Sequence, residues 1–173
     1  MKVLIAGGDG FIGWPLSMRL TKLGYEVMIV DNLYRRKIDD ENGFSSITPI
    51  RPIDVRIERW KEVSGKQILF EKIDIAEEKE KFMELFKNWM PDVVVHLAEQ
   101  KSAPYSMKNV EKVDETYTNN TLSTKNILIA MMKYNEKCHL VHIGTMGVYG
   151  YGAIEGSDIP EGFCMAKLHC THT

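Results

Sequence analysis

Short, nearly all-apolar runs alternate with amphipathic stretches from the first residue of this 173-residue chain, and that alternation restricts the fold more than any motif does. Lys2-Val3-Leu4-Ile5-Ala6 lacks the alternating polar positions of a half-exposed strand, so it reads as a central parallel strand covered on both faces. Phe11 to Leu23 carries Ile12, Leu16, Leu20 and Leu23 at helical spacing and stops at Gly24. Glu26 to Val30 is a second buried strand closing on Asp31, and Gln67 to Ile73, Asp92 to His96 and Cys138 to Ile143 follow as strands three to five. Helical patterns run over Glu77 to Trp89 and Val113 to Tyr134, with a last helix expected over Glu161 to His172 behind Pro160. Asn32 to Lys66 has no clean period and contains Pro49 and Pro52, which predicts a long loop holding one short helix around Val55 to Val63. The expectation is an α/β chain, one domain over residues 1–173, built as a doubly wound parallel sheet of the Rossmann type with right-handed crossovers.

Composition narrows the function. Lys plus Arg total 22 against 24 Asp plus Glu, and neither end carries a run of one sign, so neither nucleic acid nor an anionic membrane surface is the expected partner. No apolar stretch approaches the ~20 residues needed to cross a bilayer, and Met1 leads straight into a strand, which predicts a cytoplasmic protein. Cys138, Cys164 and Cys170 form no C-x-x-C pair and read as packing residues of a reducing compartment.

Between strand one and the first helix stands Gly7-Gly8-Asp9-Gly10-Phe11-Ile12-Gly13, which contains both G-x-G-x-x-G and G-x-x-G-x-x-G. Glycine lets a backbone approach a pyrophosphate, and the following helix aims free N–H groups and its positive dipole end at the anion. Gly7, Gly10, Phe11, Ile12 and Gly13 are therefore the candidate phosphate contacts. Asp31, eighteen residues past Gly13, stands where a carboxylate accepts both hydroxyls of an adenosine ribose, which favours NAD. Arg35 and Arg36 leave a second choice open, since guanidinium groups there suit a 2′-phosphate or an adenine face. Asp74-Ile75, past strand three, is either an adenine-edge contact or an ordinary loop.

The glycine loop with Trp14, Asp31-Asn32-Leu33 before Arg35-Arg36, the run from Ala98 through Glu99-Gln100-Lys101-Ser102-Ala103-Pro104-Tyr105-Ser106-Met107, and Gly144-Thr145-Met146-Gly147 resemble the extended short-chain dehydrogenase/reductases. Within that family of NAD-dependent nucleotide-sugar epimerases and dehydratases they look like the UDP-sulfoquinovose synthase branch, and E-Q-x-S-A-P-Y-S-M is the specific segment. The resemblance implies bound NAD, with Asn32, Leu97 and Asn120 added to the cofactor contacts, and Gln100, Lys101, Ser102, Tyr105 and Thr145 facing a sugar nucleotide. It implies oxidation of UDP-glucose at C4, loss of the 6-hydroxyl, addition of sulfite and return of the hydride. A ketone at C4 acidifies the C5 proton, so that loss of water becomes feasible.

The pattern is departed from in several places. Where the family carries Tyr-x-x-x-Lys, this chain has Phe163 and Lys167; Lys167 retains the position that holds the nicotinamide ribose, and Thr145 that of the catalytic hydroxyl, but phenylalanine has no proton to exchange. Tyr149 and Tyr151 are close in sequence but fall in the loop before that helix, and Tyr149 has its own counterpart in the family pattern, so neither is expected to take the role over. Val148 replaces an acidic residue and Lys101 an arginine, and the chain stops at Thr173, so the Rossmann half is expected without the family's C-terminal substrate domain. Impaired catalysis is one expectation; a non-catalytic dinucleotide-binding or assembly module pairing with another chain, or a homo-oligomer, is the alternative. No metal is expected: His139 and His142 have odd spacing on a strand, His169, Cys170 and His172 lack a partner, and Glu99 and Asp114 are not an acid pair. His96 reads as a hydrogen-bonded core residue at the crevice.

Overall fold

A computed structural model describes residues 1–144. Five strands, β1 (Lys2–Ala6), β2 (Glu26–Asp31), β3 (Ile68–Lys72), β4 (Val93–His96) and β5 (His139–His142), form one sheet in the order β3-β2-β1-β4-β5. Every pairing is parallel, with Ala6 opposite Val30 on one side and His96 on the other, and His96 opposite His142.

The three inner strands β1, β2 and β4 are apolar at successive residues because both their faces are covered. Leu4, Ala6, Met28, Val30 and Val94 point to a layer holding Phe82, Phe86, Ile127 and Ala130 from α4 (Lys79–Trp89) and α6 (Val110–Tyr134). Val3, Ile5, Val27, Ile29, Ile68 and Val95 point to the opposite layer, where Trp14 and Met18 of α1 (Gly13–Lys22) meet Ile53, Ile57 and Trp60 of α3 (Ile53–Ser64). Phe82 and Phe86 meet edge to face with centroids 6.0 Å apart, one turn of α4 filling its own layer. Trp60 Nε1 donates to Thr21 Oγ1 at 3.0 Å, so the two helices of the second layer are also joined by a polar contact.

Two helices differ from expectation. Residues 32–66 hold α2 (Tyr34–Glu41) as well as α3, and α5 (Ala103–Ser106) interrupts the segment before α6. Only Ile38 of α2 is buried, so the helix has no apolar period to read. It is held instead by Arg35–Asp39 at 3.0 Å and Lys37–Glu41 at 3.7 Å, one turn apart, and by Arg36 reaching Asp9. The short α5 is started by Ser102, whose Oγ accepts the Tyr105 amide, with Pro104 in the first turn. The expected last helix over 161–172 lies outside the described residues.

Candidate dinucleotide and substrate site

The chain builds outward from β1 to β2 and β3, then returns to β4 and β5, so connections diverge between β1 and β4 and leave a crevice beyond their carboxyl ends. The glycine loop sits there. A Cβ on Gly7, whose φ is +83°, would lie 2.7 Å from the Leu97 carbonyl carbon and 2.8 Å from the Ala98 nitrogen. One on Gly8 would strike the Ile29 side chain, and one on Gly13 the Gly7 carbonyl. Three of the loop's four glycines are thus demanded by packing of the protein on itself, and Gly10, whose Cβ would meet only Gly7 O at 3.2 Å, is the one left facing outward.

The first helical bond of α1 runs from Trp14 N to Gly10 O at 3.1 Å, and the amides of Phe11, Ile12 and Gly13 find no acceptor among the described residues. They stand at the positive end of α1, beside the exposed side chains of Phe11 and Ile12. Orphan donors on a helix axis are the fit for a pyrophosphate.

Asp31 closes β2, and its Oδ2 accepts the Asp9 amide at 2.9 Å while Oδ1 accepts the Leu33 amide at 2.8 Å. Each oxygen keeps a second lone pair, enough for two ribose hydroxyls. Burial raises its carboxyl above the usual range, the two amides pull the other way, and the charge on Asp9 adds to the rise. Asn32 shapes the next turn: Oδ1 accepts the Tyr34 amide and Nδ2 donates to Asp74 Oδ2 at 2.7 Å, with Leu33 between them at φ 61°. Arg35 lies along α2 against Asp39, and Arg36 is turned back to Asp9, its Nε 2.7 Å from Oδ2 and its Nη2 3.0 Å from the Asp9 carbonyl.

Asp74 accepts the Ala76 and Glu77 amides through Oδ1, so it caps its own loop as well as holding Asn32. Ile75 is a core residue, 5% exposed, whose carbonyl accepts Asn126 Nδ2 at 2.8 Å; its backbone amide is what it can offer a ligand. Leu97 donates its amide to Ala6 O at 2.8 Å, which presses the segment after β4 onto the glycine loop.

That segment is fixed by α6. Asn120 Oδ1 accepts the Gln100 amide and its Nδ2 donates to the Gln100 carbonyl, so Asn120 positions the run expected to face the sugar. Gln100 Oε1 accepts the Ser102 amide at 2.8 Å, Lys101 is exposed, and Tyr105 Oη lies 2.9 Å from Tyr34 Oη. Glu115 accepts from Tyr34 and from Lys112, whose ammonium stands 5.1 Å from the Tyr105 ring centre. Lys112 holds the Glu115 carboxyl below its usual range. A cleft of about 300 Å³ opens between Asn32, Asp74, Gln100, Tyr105 and Asn119.

His96 is buried, and its bonds define its state. The Ala98 amide donates to Nδ1 at 3.3 Å, so Nε2 carries the proton and donates to Thr124 Oγ1 at 3.0 Å, which donates on to the Asn120 carbonyl at 2.9 Å. Burial, then the nearby His142, lowers its pKa to about 4. Glu99 Oε1 lies 3.6 Å from His142 Nε2 and 3.9 Å from His96 Nε2. Sequence spacing missed this trio, which only the β4–β5 register brings together. A metal on His96 Nε2 would need the proton on Nδ1, facing the Ala98 N–H, so the bonding of His96 argues against it. Sequence reasoning also missed Asp9 and Arg56, whose side chains meet in a close ion pair under the loop. Thr145, Phe163 and Lys167, with Val148, Tyr149 and Tyr151, lie outside the described residues.

Bare helix-initial amides after β1 and a hydroxyl-accepting acid after β2, on a sheet of this order, are the working parts of Rossmann dinucleotide-binding domains. The chain matches the NAD dependent epimerase/dehydratase family over residues 3–166 and belongs to it. It is 46% identical over 162 residues to the chloroplastic UDP-sulfoquinovose synthase of Spinacia oleracea, covering 94% of this chain and 33% of that one. Identity to the UDP-sulfoquinovose synthase of Sulfolobus acidocaldarius is 38%, over 93% of this chain and 40% of that one. The chain thus spans between a third and two fifths of the length of these relatives. Among solved structures, the UDP-glucose 4-epimerase of Bifidobacterium longum in complex with NAD+ and UDP aligns with a TM-score of 0.64 at 29% identity, over 87% of this chain and 38% of that one.

Proposed function

We propose that this chain binds NAD and serves a nucleotide-sugar-modifying reaction of the UDP-sulfoquinovose synthase kind, in which UDP-glucose and bisulfite give UDP-sulfoquinovose and water. The observation that carries the reading is the run Ala98 to Met107, pinned at Ala98 by Asn119 and at Gln100 by Asn120 along the crevice that the glycine loop opens. The identity of 46% to the spinach synthase supports it.

The amides of Phe11, Ile12 and Gly13 take the pyrophosphate, and Asp31 takes the adenosine ribose. NAD, when bound, supplies a reversible hydride acceptor for a sugar carbinol carbon. Gln100, Ser102 and Tyr105 present the sugar-facing edge, with Thr145 and Lys167 assigned the hydroxyl and ribose contacts of the family. Phe163 removes the phenol that would take the sugar hydroxyl's proton, so turnover is expected to be slow unless another base serves.

The test mixes protein, NAD, UDP-glucose and sulfite and looks for a sulfonated sugar nucleotide by mass spectrometry, with wild type and with Phe163→Tyr. Product from the variant, in excess of wild type, is the expected result; equal product from both contradicts the role given to Phe163, and product from neither implicates the two thirds of the spinach synthase's length that this chain does not span.

A further inference from the structure

We propose that Asp9 sets the choice of dinucleotide, its carboxylate engaging the Arg36 and Arg56 guanidinium groups so that neither is free to bind a ribose 2′-phosphate. The inference rests on the NAD reading above and concerns a residue to which the fingerprint assigns no task.

Asp9 is 3% exposed in the middle of the glycine loop, an unusual place for a carboxylate beneath a site meant for phosphate. Two cations hold it. Arg36 uses the Nε/Nη2 edge of its guanidinium, the edge that would fork onto a phosphate, on the Asp9 carboxylate and carbonyl. Arg56 reaches from α3 to Asp9 Oδ1 through Nη2, lies with its guanidinium carbon 4.5 Å from the Trp14 ring centre, and has a buried Nε without a partner among the described residues. Arg56 is therefore clamped between an anion and an indole.

The Asp9 backbone amide is itself bound to Asp31 Oδ2, which places this cluster one residue from the ribose acid. Two carboxylates and two guanidinium groups sum to zero charge. A 2′-phosphate would bring between one and two negative charges beside Asp31 and Asp9, where the Nε/Nη2 edge of Arg36 is spent on Asp9 and Arg56 is held there through Nη2 with its Nε buried. Arg35 offers no substitute, being paired with Asp39 on the exposed side of α2. The Arg-Arg pair after β2, which by composition suits NADP, is thereby converted into part of an NAD site.

Removing the Asp9 charge frees both guanidinium groups while Asp31 stays in place. Calorimetric titration of the whole chain with NAD+ and with NADP+ reads this without any turnover. In Asp9→Asn the ratio of the two dissociation constants is expected to move toward NADP+ by about tenfold or more, and adding Arg36→Met to that variant to reverse most of the shift. Arg36→Met alone is expected to leave the ratio unchanged, and it decides the matter should Asp9→Asn not fold. An unchanged ratio in folded Asp9→Asn, or selective loss of NADP+ binding in Arg36→Met alone, overturns the inference and leaves the NAD reading standing. A wild type that binds neither dinucleotide overturns both.

Discussion

The side chain of Asn120 satisfies both backbone groups of Gln100, accepting its amide at 2.8 Å and donating to its carbonyl at 3.1 Å. One residue earlier, Asn119 Nδ2 donates to the Ala98 carbonyl at 3.2 Å, so two consecutive helical asparagines act on the segment after β4 as a neighbouring strand would. The segment cannot continue the sheet, because it turns to face the crevice; the asparagines replace the lost ladder bonds.

Asn120→Ala should therefore lower unfolding free energy by about 1–3 kcal/mol, the cost of leaving part-buried backbone groups unpaired. The same variant should increase amide hydrogen exchange selectively over residues 98–107, with the sheet strands β1 and β2 unaffected. Equal protection in wild type and variant would show that Asn120 is not what holds this run.

The glycines separate packing from ligand approach. Gly7→Ala forces a Cβ against the Leu97 carbonyl at a φ of +83°, and should cost about 2–4 kcal/mol in denaturant unfolding. Gly10→Ala meets only one atom, 3.2 Å away, and should keep stability within about 1 kcal/mol of wild type while weakening NAD binding. Equal destabilisation by the two would remove the distinction.

His96 makes stability depend on pH. Its folded pKa of about 4 lies below the ordinary value of 6.5, so the unfolded chain binds the proton more readily than the folded one. Stability contributed by keeping the ring neutral is complete above pH 6.5, falls as pH drops from 6.5 to about 4, and is gone below that. The full effect is at most about 3 kcal/mol at 1.36 kcal/mol per unit. Urea midpoints between pH 7 and pH 4.5 should fall less in His96→Asn than in wild type; parallel curves would refute the assignment.

The doubly wound sheet was legible in the sequence because buried parallel strands are apolar at consecutive residues, and Val3-Leu4-Ile5-Ala6 and Val27-Met28-Ile29-Val30 leave little choice. The glycine loop and Asp31 could be placed because their tasks depend on the strand they follow. What was hidden depended on distance in space. α2 buries only Ile38 and is held by ion pairs, so periodicity could not mark it. Arg56 reaches Asp9 across 47 residues, and His142 reaches Glu99 only through the β4–β5 register. Ile75, placed at the crevice by its position after β3, turns its side chain into the core because Asn126 holds its carbonyl there.

On the proposed reading, the unpaired amides of α1 and the carboxylate of Asp31 hold a dinucleotide. Isothermal titration of the chain with NAD+, run beside Asp31→Ala, tests it directly. Saturable heat with wild type, lost or weakened at least about tenfold in the variant, is the predicted result. No heat with wild type at about millimolar NAD+, or undiminished binding without the Asp31 carboxylate, would contradict it.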